Sequence, residues 1–265
     1  MKKSRYEAAL AAVELGQACL LGYFGKINHI EEKEKAGLVS EADRESEKII
    51  QTYLAEHCPD VGFLGEEGAF LENTALVKSV HGARWILDPL DGTTNFIHQF
   101  PIFCISLALE VDGVLEIGII DMPILKQRWT AQRGKGAFCN GMPVKVSKTD
   151  DFSKSLLATG FFSDETEAVN HQVKIFANLI QKTRGIRRAG AAAYDLALVS
   201  SGVFDLFWEK NLKPWDTAAG QLLVEEAGGI VRTYEGDPHN PFEKSIVAGN
   251  ENLVSQFLAE LKKIN

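Results

Sequence analysis

The chain has 265 residues, 45% of them hydrophobic and 24% charged, so it can bury a substantial core as one large domain or two small ones. Its 28 basic and 36 acidic residues give a net charge of −8, which disfavours nonspecific binding to nucleic acid or to an anionic membrane. No stretch is long and apolar enough to span a membrane, and an anionic ligand would need a local cation.

The N-terminal residues predict an amphipathic helix from about Tyr6 to Tyr23, opened by a capping box between Ser4 and Glu7. Polar residues interrupt its alanine-rich run, which argues against a secretory signal, whose core would be continuously apolar. The four cysteines are widely scattered and form no C-x-x-C pair, so we expect free thiols in a reducing cytoplasm.

The polar run 28–37 predicts an exposed loop, and a second helix is expected after Ser40, ending at Cys58 and Pro59. Asp43 lies in the first turn of this helix. A capping box with Ser40 is a sufficient structural explanation for Asp43, so any further role depends on residues elsewhere in the chain.

The segment Trp85–Phe96 brings two carboxylates and a turn rich in backbone donors out of an apolar strand. Its first three residues predict a short buried strand, Pro89 forces Asp88 into an extended conformation, and Gly92 permits a sharp turn. Asp88 and Asp91 can therefore converge on one point. The residues after the glycine could open a helix whose free amides suit a phosphate group. An ordinary Asp-Gly loop, with Asp91 capping a helix, is the structural alternative.

Strand-forming runs at 103–111 and 114–121 flank Asp112 and Gly113, a strong hairpin signal that predicts an antiparallel sheet, extended by a strand at 127–132. From about Ser153 onward, strands and helices alternate, which is typical of an α/β arrangement. The elements predicted there are strand 156–159, helix 167–181, helix 191–200, strand 203–208, helix 216–227 stopped by two glycines, strand 230–233, and strand 245–248 before a helix capped by Asn250. We therefore predict an N-terminal α+β subdomain over 1–150 and a C-terminal α/β subdomain over 151–265, packed as a single unit.

Acidic residues from three separate segments could meet the Asp88 and Asp91 pair. Glu66 follows the apolar run 61–64, and Asp216 opens a predicted helix, where an N-cap role would also explain it. These four carboxylates could not cluster and all stay ionised without counterions. Because only oxygen ligands and no candidate histidine are present, Mg²⁺ or Mn²⁺ suits the set better than Zn²⁺ or copper.

Three segments, Gly65–Gly68, Trp85–Phe96 and Pro214–Gly220, together resemble the inositol monophosphatase family of magnesium-dependent, lithium-sensitive sugar phosphatases. The resemblance extends through Gly134–Gly141 and Glu225–Gly229 and covers nearly the whole chain in the family's order. It implies a layered α-β-α-β-α sandwich of the inositol monophosphatase and fructose bisphosphatase type, combining α+β and α/β parts. It also implies a lithium-sensitive homodimer, and we expect residues 1–265 to act as one catalytic unit in the cytoplasm.

The metal site follows from the same resemblance. The side chains of Glu66, Asp88, Asp91 and Asp216, with the backbone carbonyl of Leu90, would bind two or three Mg²⁺ ions, for which Mn²⁺ could substitute. Paired metal ions about 3.5–4 Å apart clamp a phosphate and lower the pKa of a bound water. Hydrolysis would then need no covalent intermediate, although the motif alone leaves an aspartyl nucleophile open.

The resemblance also assigns the residues around the water and the phosphate. Asp43 and Thr93 would orient the attacking water, and Glu66 would take part in catalysis as well as metal binding. Gly92 and Thr93 would receive the phosphate oxygens through their amides.

On the alcohol side, Glu209 matches the family's acidic residue that accepts hydrogen bonds from ring hydroxyls of a polyol. Ala191 and Ala192 match the segment that lines this side of the pocket, where small residues leave room for a ring. Asp216 would contact substrate as well as metal.

Other residues near the expected site have weaker assignments. Ser163 is a weak substrate-side match because its neighbours depart from typical family sequences. Lys33 or Lys35 could approach the site, and we assign neither. Arg187 and Arg188 are interpreted as salt-bridged structural residues rather than phosphate ligands.

The sequence thus predicts Mg²⁺-dependent hydrolysis of a small-molecule phosphate monoester, with myo-inositol 1-monophosphate as substrate. A dual activity that includes fructose 1,6-bisphosphate, or activity on adenosine bisphosphate or histidinol phosphate, is the alternative within the same chemistry. A regulatory interaction module with vestigial catalysis is the alternative from another class. The sequence contains no patch of basic and aromatic residues, so direct nucleic acid binding is not predicted. Membrane association is not predicted either.

Overall fold

The side chains of Ser4, Ser40 and Asn250 each cap the N-terminus of a helix. The computed structural model describes residues 3–26, 30–33, 37–68, 82–161 and 166–264. Within these ranges the main helices are α1 (Arg5–Tyr23), α2 (Glu41–His57), α3 (Thr93–Ile97), α4 (Thr166–Ile180), α5 (Ala192–Ser200), α6 (Pro214–Glu226) and α7 (Glu251–Leu261). The predicted capping boxes at Ser4 and Ser40 are both present, and Asn250 caps α7 as expected.

Seven strands in the first half form one sheet in the order β3-β4-β5-β6-β7-β8-β9. They are β3 (Gly62–Gly65), β4 (Ala83–Asp91), β5 (Cys104–Val111), β6 (Val114–Met122), β7 (Gln127–Gln132), β8 (Ala137–Cys139) and β9 (Met142–Pro143). Only β3 and β4 pair in parallel. Asp112 and Gly113 form the two-residue hairpin turn that joins β5 to β6, both with positive φ, as their sequence predicts.

The second half forms a mixed sheet of five strands in the order β11-β10-β12-β14-β13. They are β10 (Leu156–Thr159), β11 (Gly185–Arg187), β12 (Leu206–Lys210), β13 (Ile230–Arg232) and β14 (Ser245–Gly249). β10 is parallel to β11 and β12, whereas β14 is antiparallel to β12 and β13. All strands of this sheet follow residue 151, but the subdomain boundary itself stays a prediction.

Three apolar clusters hold five layers together. α1 and α2 pack on each other and on the first sheet, around side chains such as Leu20 and Trp85. α5 and α6 lie between the two sheets with Trp129 and Leu196, and α4 and α7 cover the far face of the second sheet around Phe257. The expected α-β-α-β-α layering is confirmed, and the site described below lies where the middle helices begin.

Three local predictions were wrong. The predicted loop 28–37 instead contributes to an antiparallel strand pair, β1 (Ile30–Lys33) and β2 (Gly37–Ser40), which its charged sequence concealed. The strand predicted at 203–208 begins at Leu206, because the amides of Val203 and Phe204 bond the last turn of α5. The short edge strand β11 was not predicted at all.

Two further expectations concern the whole chain. All four cysteines are free thiols, as predicted. No helix in the described ranges combines the length and apolarity needed to cross a bilayer.

Candidate active site

One face of α2 makes polar contacts with the segments that carry the predicted site. The Asp43 carboxylate accepts a hydrogen bond from the Thr93 hydroxyl at 2.9 Å, and the Ser46 hydroxyl donates to the Pro89 carbonyl at 3.3 Å. Glu47, one turn further, accepts from the amides of Glu67 and Gly68 at 2.9 and 2.7 Å. Since these three α2 side chains are buried, the helix fixes the site's segments relative to one another.

Asp88 and Asp91 stand at the end of β4, where the strand is buried throughout its final part. The pairing with β5 shifts register between them, so that Asp88 faces Ser106 and Asp91 faces Cys104. A bulge of this kind re-aims side chains at a strand end. The Asp88 carboxylate also accepts from the Leu90 amide at 2.9 Å, which holds the turn around Pro89.

Gly92 makes the turn that follows possible. Its φ is +93°, and a Cβ there would lie 2.9 Å from the Ile102 carbonyl oxygen, so no other residue fits without moving the backbone. Asn95 then joins the neighbouring loops, because its side-chain amide donates to the carbonyls of Ile102 and Ala189 at 2.7 and 2.9 Å. The first turn of α3 is thereby held against the segment that precedes α5.

The Thr93 hydroxyl has two acceptors within reach, the Asp43 carboxylate at 2.9 Å and the Leu90 carbonyl at 3.1 Å. Its one hydrogen can serve only one of them at a time. The other oxygen of Asp43 accepts from the Ser40 amide and hydroxyl at 2.8 and 2.6 Å, so the carboxylate caps α2 and contacts Thr93 simultaneously. Both interpretations of Asp43 are therefore compatible.

Two middle helices begin at the acidic residues of the site. One Asp91 oxygen accepts from the Ala193 amide in the first turn of α5 at 2.7 Å, and the Cys104 thiol donates to the same oxygen at 3.6 Å. Asp216 lies in the first turn of α6 and accepts from the Lys213 amide at 2.7 Å. Asp216 is thus the third residue of α6 rather than its predicted N-cap, which is Lys213, and its carboxylate also interacts with Asp88 in the site.

The pKa values of these carboxyl groups are raised, because the groups are shielded from solvent and lie close to one another. Burial, followed by the charges of Glu66, Asp91 and Asp216, raises the pKa of Asp88 well above its ordinary value. Burial raises the pKa of Asp91 to about 7 against several hydrogen bonds, and burial together with the Asp91 charge raises that of Asp216 to about 7. Each raised pKa means that the ionised carboxylate is less stable at its position in the protein than it would be in water.

A hard divalent cation fits this cluster. The donors are carboxylate oxygens from three segments, Asp88 and Asp91 are buried while Glu66 and Asp216 are half-buried, and a cation would relieve their mutual repulsion. Within the described ranges, no three His, Cys, Asp or Glu side chains are grouped closely enough to hold a metal ion as they stand. The fit therefore rests on donor type, burial and charge.

A small cavity of about 130 Å³ opens beside the cluster. Its wall includes Asp91 and Asp216 together with the predicted substrate-side residues Ala191, Ala192 and Glu209. Burial, then the charge of Asp216, raises the pKa of Glu209 to about 8, while the charge of Arg188 acts in the opposite direction. The cavity is thus lined by two carboxylates of the acidic cluster and by the predicted substrate-side residues.

The whole sequence, residues 1–265, matches the family model for the inositol monophosphatase family. The chain belongs to the inositol monophosphatase family. It is 38% identical over 257 residues to an inositol-1-monophosphatase of Synechocystis, covering 96% of this chain and 88% of that protein. It is also 42% identical over 238 residues to a Nus factor SuhB of Pseudomonas aeruginosa, covering 88% and 86%. The solved inositol monophosphatase of Anabaena superposes with a TM-score of 0.86 at 35% identity, covering 98% of this chain and 96% of that one.

Membership in the inositol monophosphatase family makes the chain a phosphatase and agrees with the layered fold. The structure brings together nearly all of the residues that the sequence singled out. Asp43 meets Thr93, and the charges of Glu66, Asp91 and Asp216 act on Asp88. Gly92 precedes α3, the Leu90 carbonyl faces Thr93, and the substrate-side residues line the cavity.

A few expectations about this phosphatase have a different outcome. Ser163 and Lys35 lie outside the described residues, as does the side chain of Lys33. Arg187 and Arg188 were expected in salt bridges, but neither forms one with an acidic side chain in the part of the chain that the structure describes. Arg188 instead lies at the cavity wall, where its charge acts on Glu209.

Sequence reasoning missed three residues of the site. Glu47 holds the segment that carries Glu66, and one turn of helix separates it from Asp43, which was the available signal. The Cys104 thiol donates a hydrogen bond to the Asp91 carboxylate, and no local sequence pattern predicts this contact. Asp195 lines the cavity although its sequence neighbourhood is that of an ordinary apolar helix.

Proposed function

We propose that this protein hydrolyses small polyol phosphate monoesters with Mg²⁺, and that myo-inositol 1-phosphate is its substrate. The observation that carries the proposal is the cluster of the buried Asp88 and Asp91 with the half-buried Asp216, on which the charge of Glu66 also acts, beside the hydrogen-bonded pair of Thr93 and Asp43. Family membership supports the same chemistry.

Glu66, Asp88, Asp91, Asp216 and the Leu90 carbonyl would hold two or three Mg²⁺ ions, with Mn²⁺ as a substitute. When bound, such ions neutralise phosphate charge and lower the pKa of a coordinated water. The chain's own contribution is to hold the ligands in fixed orientations. It does so through the Ala193 and Lys213 amides, the Cys104 thiol and the α2 side chains described above.

Thr93 and Asp43 orient the attacking water in this proposal. The carboxylate receives the Thr93 hydrogen, so that the hydroxyl oxygen is left to accept a proton from water held beside it. The backbone amides of Gly92 and Thr93 donate hydrogen bonds to the phosphate oxygens, whose negative charge increases during the reaction. Glu66 takes part through its position next to Asp88.

The alcohol part of the substrate lies in the 130 Å³ cavity. Ala191 and Ala192 leave room for a ring, and the buried Glu209 accepts hydrogen bonds from ring hydroxyls. Such acceptors favour a polyol over an alcohol without further hydroxyls, because an unpaired buried carboxylate is costly.

A panel of substrates tests this assignment. Phosphate release is measured from myo-inositol 1-phosphate, fructose 1,6-bisphosphate, adenosine 3′,5′-bisphosphate and histidinol phosphate, each with Mg²⁺ and with chelator. Selective release from myo-inositol 1-phosphate supports the proposal. Equal release from fructose 1,6-bisphosphate supports the dual activity instead, and release from neither polyol ester contradicts the substrate class.

A regulatory role is the second candidate, because several relatives carry the name Nus factor SuhB, one of them 42% identical. Asp91→Asn separates the two functions. A regulatory role carried by the protein surface would survive this substitution in cells, whereas a role that depends on hydrolysis would be lost. We propose no direct binding to nucleic acid, and unchanged migration of an RNA probe with added protein is the expected result.

Three broader properties follow from membership as proposals. We expect a cytoplasmic homodimer, which light scattering of the purified protein and cell fractionation would test. We also expect inhibition by Li⁺ that weakens as Mg²⁺ is raised.

A further inference from the structure

Asp195 is a buried acid with no assigned role. It lies in the first turn of α5, is 2% exposed, and lines the cavity together with Glu209 and Asp216. Its Oδ1 atom has no hydrogen-bond partner among the residues that the structure describes. A buried carboxylate oxygen without a partner carries the full desolvation cost, so this position calls for a ligand that donates a hydrogen bond.

The surroundings of Asp195 show which ligand chemistry would supply that bond. Burial, then the charges of Glu209 and Asp91, raises the pKa of Asp195, whereas the charge of Arg188 acts against them. Arg188 is exposed at the cavity wall and influences Glu209 in the same way. Asp195 and Glu209 are therefore interacting acids that line one cavity, and each has an oxygen that can accept a hydrogen bond whether or not the group is charged; the Arg188 guanidinium lies at the cavity wall.

Gly160, also in the cavity lining, lets the Glu209 carboxylate lie close to the main chain. A Cβ at Gly160 would lie 2.2 Å from a Glu209 carboxylate oxygen, so only glycine permits that carboxylate to rest against the main chain. The Gly160 carbonyl is itself held by the Gln172 side chain at 3.1 Å. The cavity thus presents fixed acceptors rather than a flexible, charged surface.

We infer that Asp195 is a specificity-determining residue, whose Oδ1 atom accepts a hydrogen bond from a second hydroxyl of the substrate's alcohol group while Glu209 accepts from the first. The inference rests on the proposed function and narrows its substrate class to phosphate esters of polyols with at least two hydroxyls near the ester. Metal ligation and water activation do not involve Asp195.

The test compares Asp195→Ala and Asp195→Asn with wild type on two esters, myo-inositol 1-phosphate and p-nitrophenyl phosphate, which has no free hydroxyl. Asp195→Ala would leave the substrate hydroxyl buried without an acceptor, which predicts a kcat/KM for the polyol ester about 10- to 100-fold lower, mainly through KM. The aromatic ester should change less than about threefold, because Asp195 has nothing to bind there. Asp195→Asn keeps an acceptor oxygen and should recover part of the loss.

Calorimetric titration with myo-inositol 1-phosphate supplies a readout apart from turnover. Asp195→Ala should weaken binding by a similar factor, while Ser200→Ala, at the other end of α5, should leave binding unchanged. Equal losses on both esters, or unchanged binding in a folded Asp195→Ala variant, would overturn the inference. Absence of binding by wild type would also overturn it. Binding by wild type that depends on Asp195, without hydrolysis, would support the inference while contradicting the proposed function.

Discussion

Substitution of Asp43 by Asn separates the structural and the catalytic interpretations of this residue. The carboxylate accepts three hydrogen bonds, two from Ser40 and one from Thr93. An Asn carbonyl oxygen can keep both bonds from Ser40, so α2 stays capped. The Asn amide must then donate to Thr93, and the hydroxyl hydrogen turns to the Leu90 carbonyl, which is 3.1 Å away.

Asp43→Asn should lower stability only slightly and activity strongly. Because the cap survives in Asp43→Asn, stability should fall by no more than about 1 kcal/mol, within the range measured for cap substitutions. Activity should fall more, since the hydroxyl can no longer pass its hydrogen to a carboxylate. General acid-base groups contribute about 10²- to 10⁴-fold, which corresponds to about 3 to 5.5 kcal/mol of activation free energy. KM should change little, because Asp43 is not among the residues that line the cavity.

The assay is steady-state phosphate release at saturating Mg²⁺, with thermal unfolding of each variant. Ser40→Ala is the matched control, because it removes the cap hydroxyl and leaves the contact between Asp43 and Thr93 in place. It should lower stability by about 0.5–2 kcal/mol and leave kcat within a few-fold of wild type. If Asp43→Asn retained a third or more of the wild-type kcat, or if Ser40→Ala lost as much activity, the catalytic interpretation of Asp43 would fail.

Three further substitutions test other parts of the account. Gly160→Ala should raise KM for a polyol phosphate about tenfold and leave p-nitrophenyl phosphate turnover nearly unchanged, because the new Cβ would lie 2.2 Å from a Glu209 oxygen. Glu47→Gln should raise the Mg²⁺ concentration needed for half-maximal rate about 10- to 100-fold, since it weakens the acceptor for the amides of 67–68 at 2.9 and 2.7 Å. His239, whose pKa burial lowers from 6.5 to about 4, stays neutral in the fold while the unfolded chain binds a proton. Its contribution to stability is therefore complete above pH 6.5 and lost as the pH falls towards 4, so wild type should lose stability relative to His239→Gln over that range in denaturant titrations.

The Gly160 and Glu47 substitutions each have a control. Gly22→Ala adds a methyl group in open space on α1 and should leave KM unchanged. Glu45→Gln removes an exposed carboxylate from α2 and should not alter the Mg²⁺ requirement. An equal effect of either control would remove the specific explanation. A stability difference between wild type and His239→Gln that stays constant from pH 7 to pH 4 would contradict the buried neutral histidine.

Local signals predicted much of this fold because the deciding interactions are close in sequence. The capping boxes at Ser4 and Ser40 and the turn at Asp112 and Gly113 are complete within a few residues, and each formed as expected. The strand pair at 30–40 was missed because its stability depends on pairing across a connection rather than on an apolar pattern.

The site was predictable only in part, for a related reason. Motif segments indicated the acidic cluster, but the contact between Asp43 and Thr93 joins residues 50 positions apart and depends on how α2 packs against β4. Asp195 could not be predicted, because its role depends on Glu209 and on a cavity formed by separate elements. A buried acid inside a helix gives no sequence signal until its surroundings are known.

Phosphate release from myo-inositol 1-phosphate by chelator-treated protein, before and after Mg²⁺ is restored, tests the central claim most directly when wild type and Asp91→Asn are compared. We predict no release without metal, full recovery of wild type with Mg²⁺, and a folded Asp91→Asn variant that does not recover. Release that chelation leaves undiminished, or near-wild-type turnover by Asp91→Asn at limiting Mg²⁺, would contradict a metal-dependent site at this carboxylate cluster.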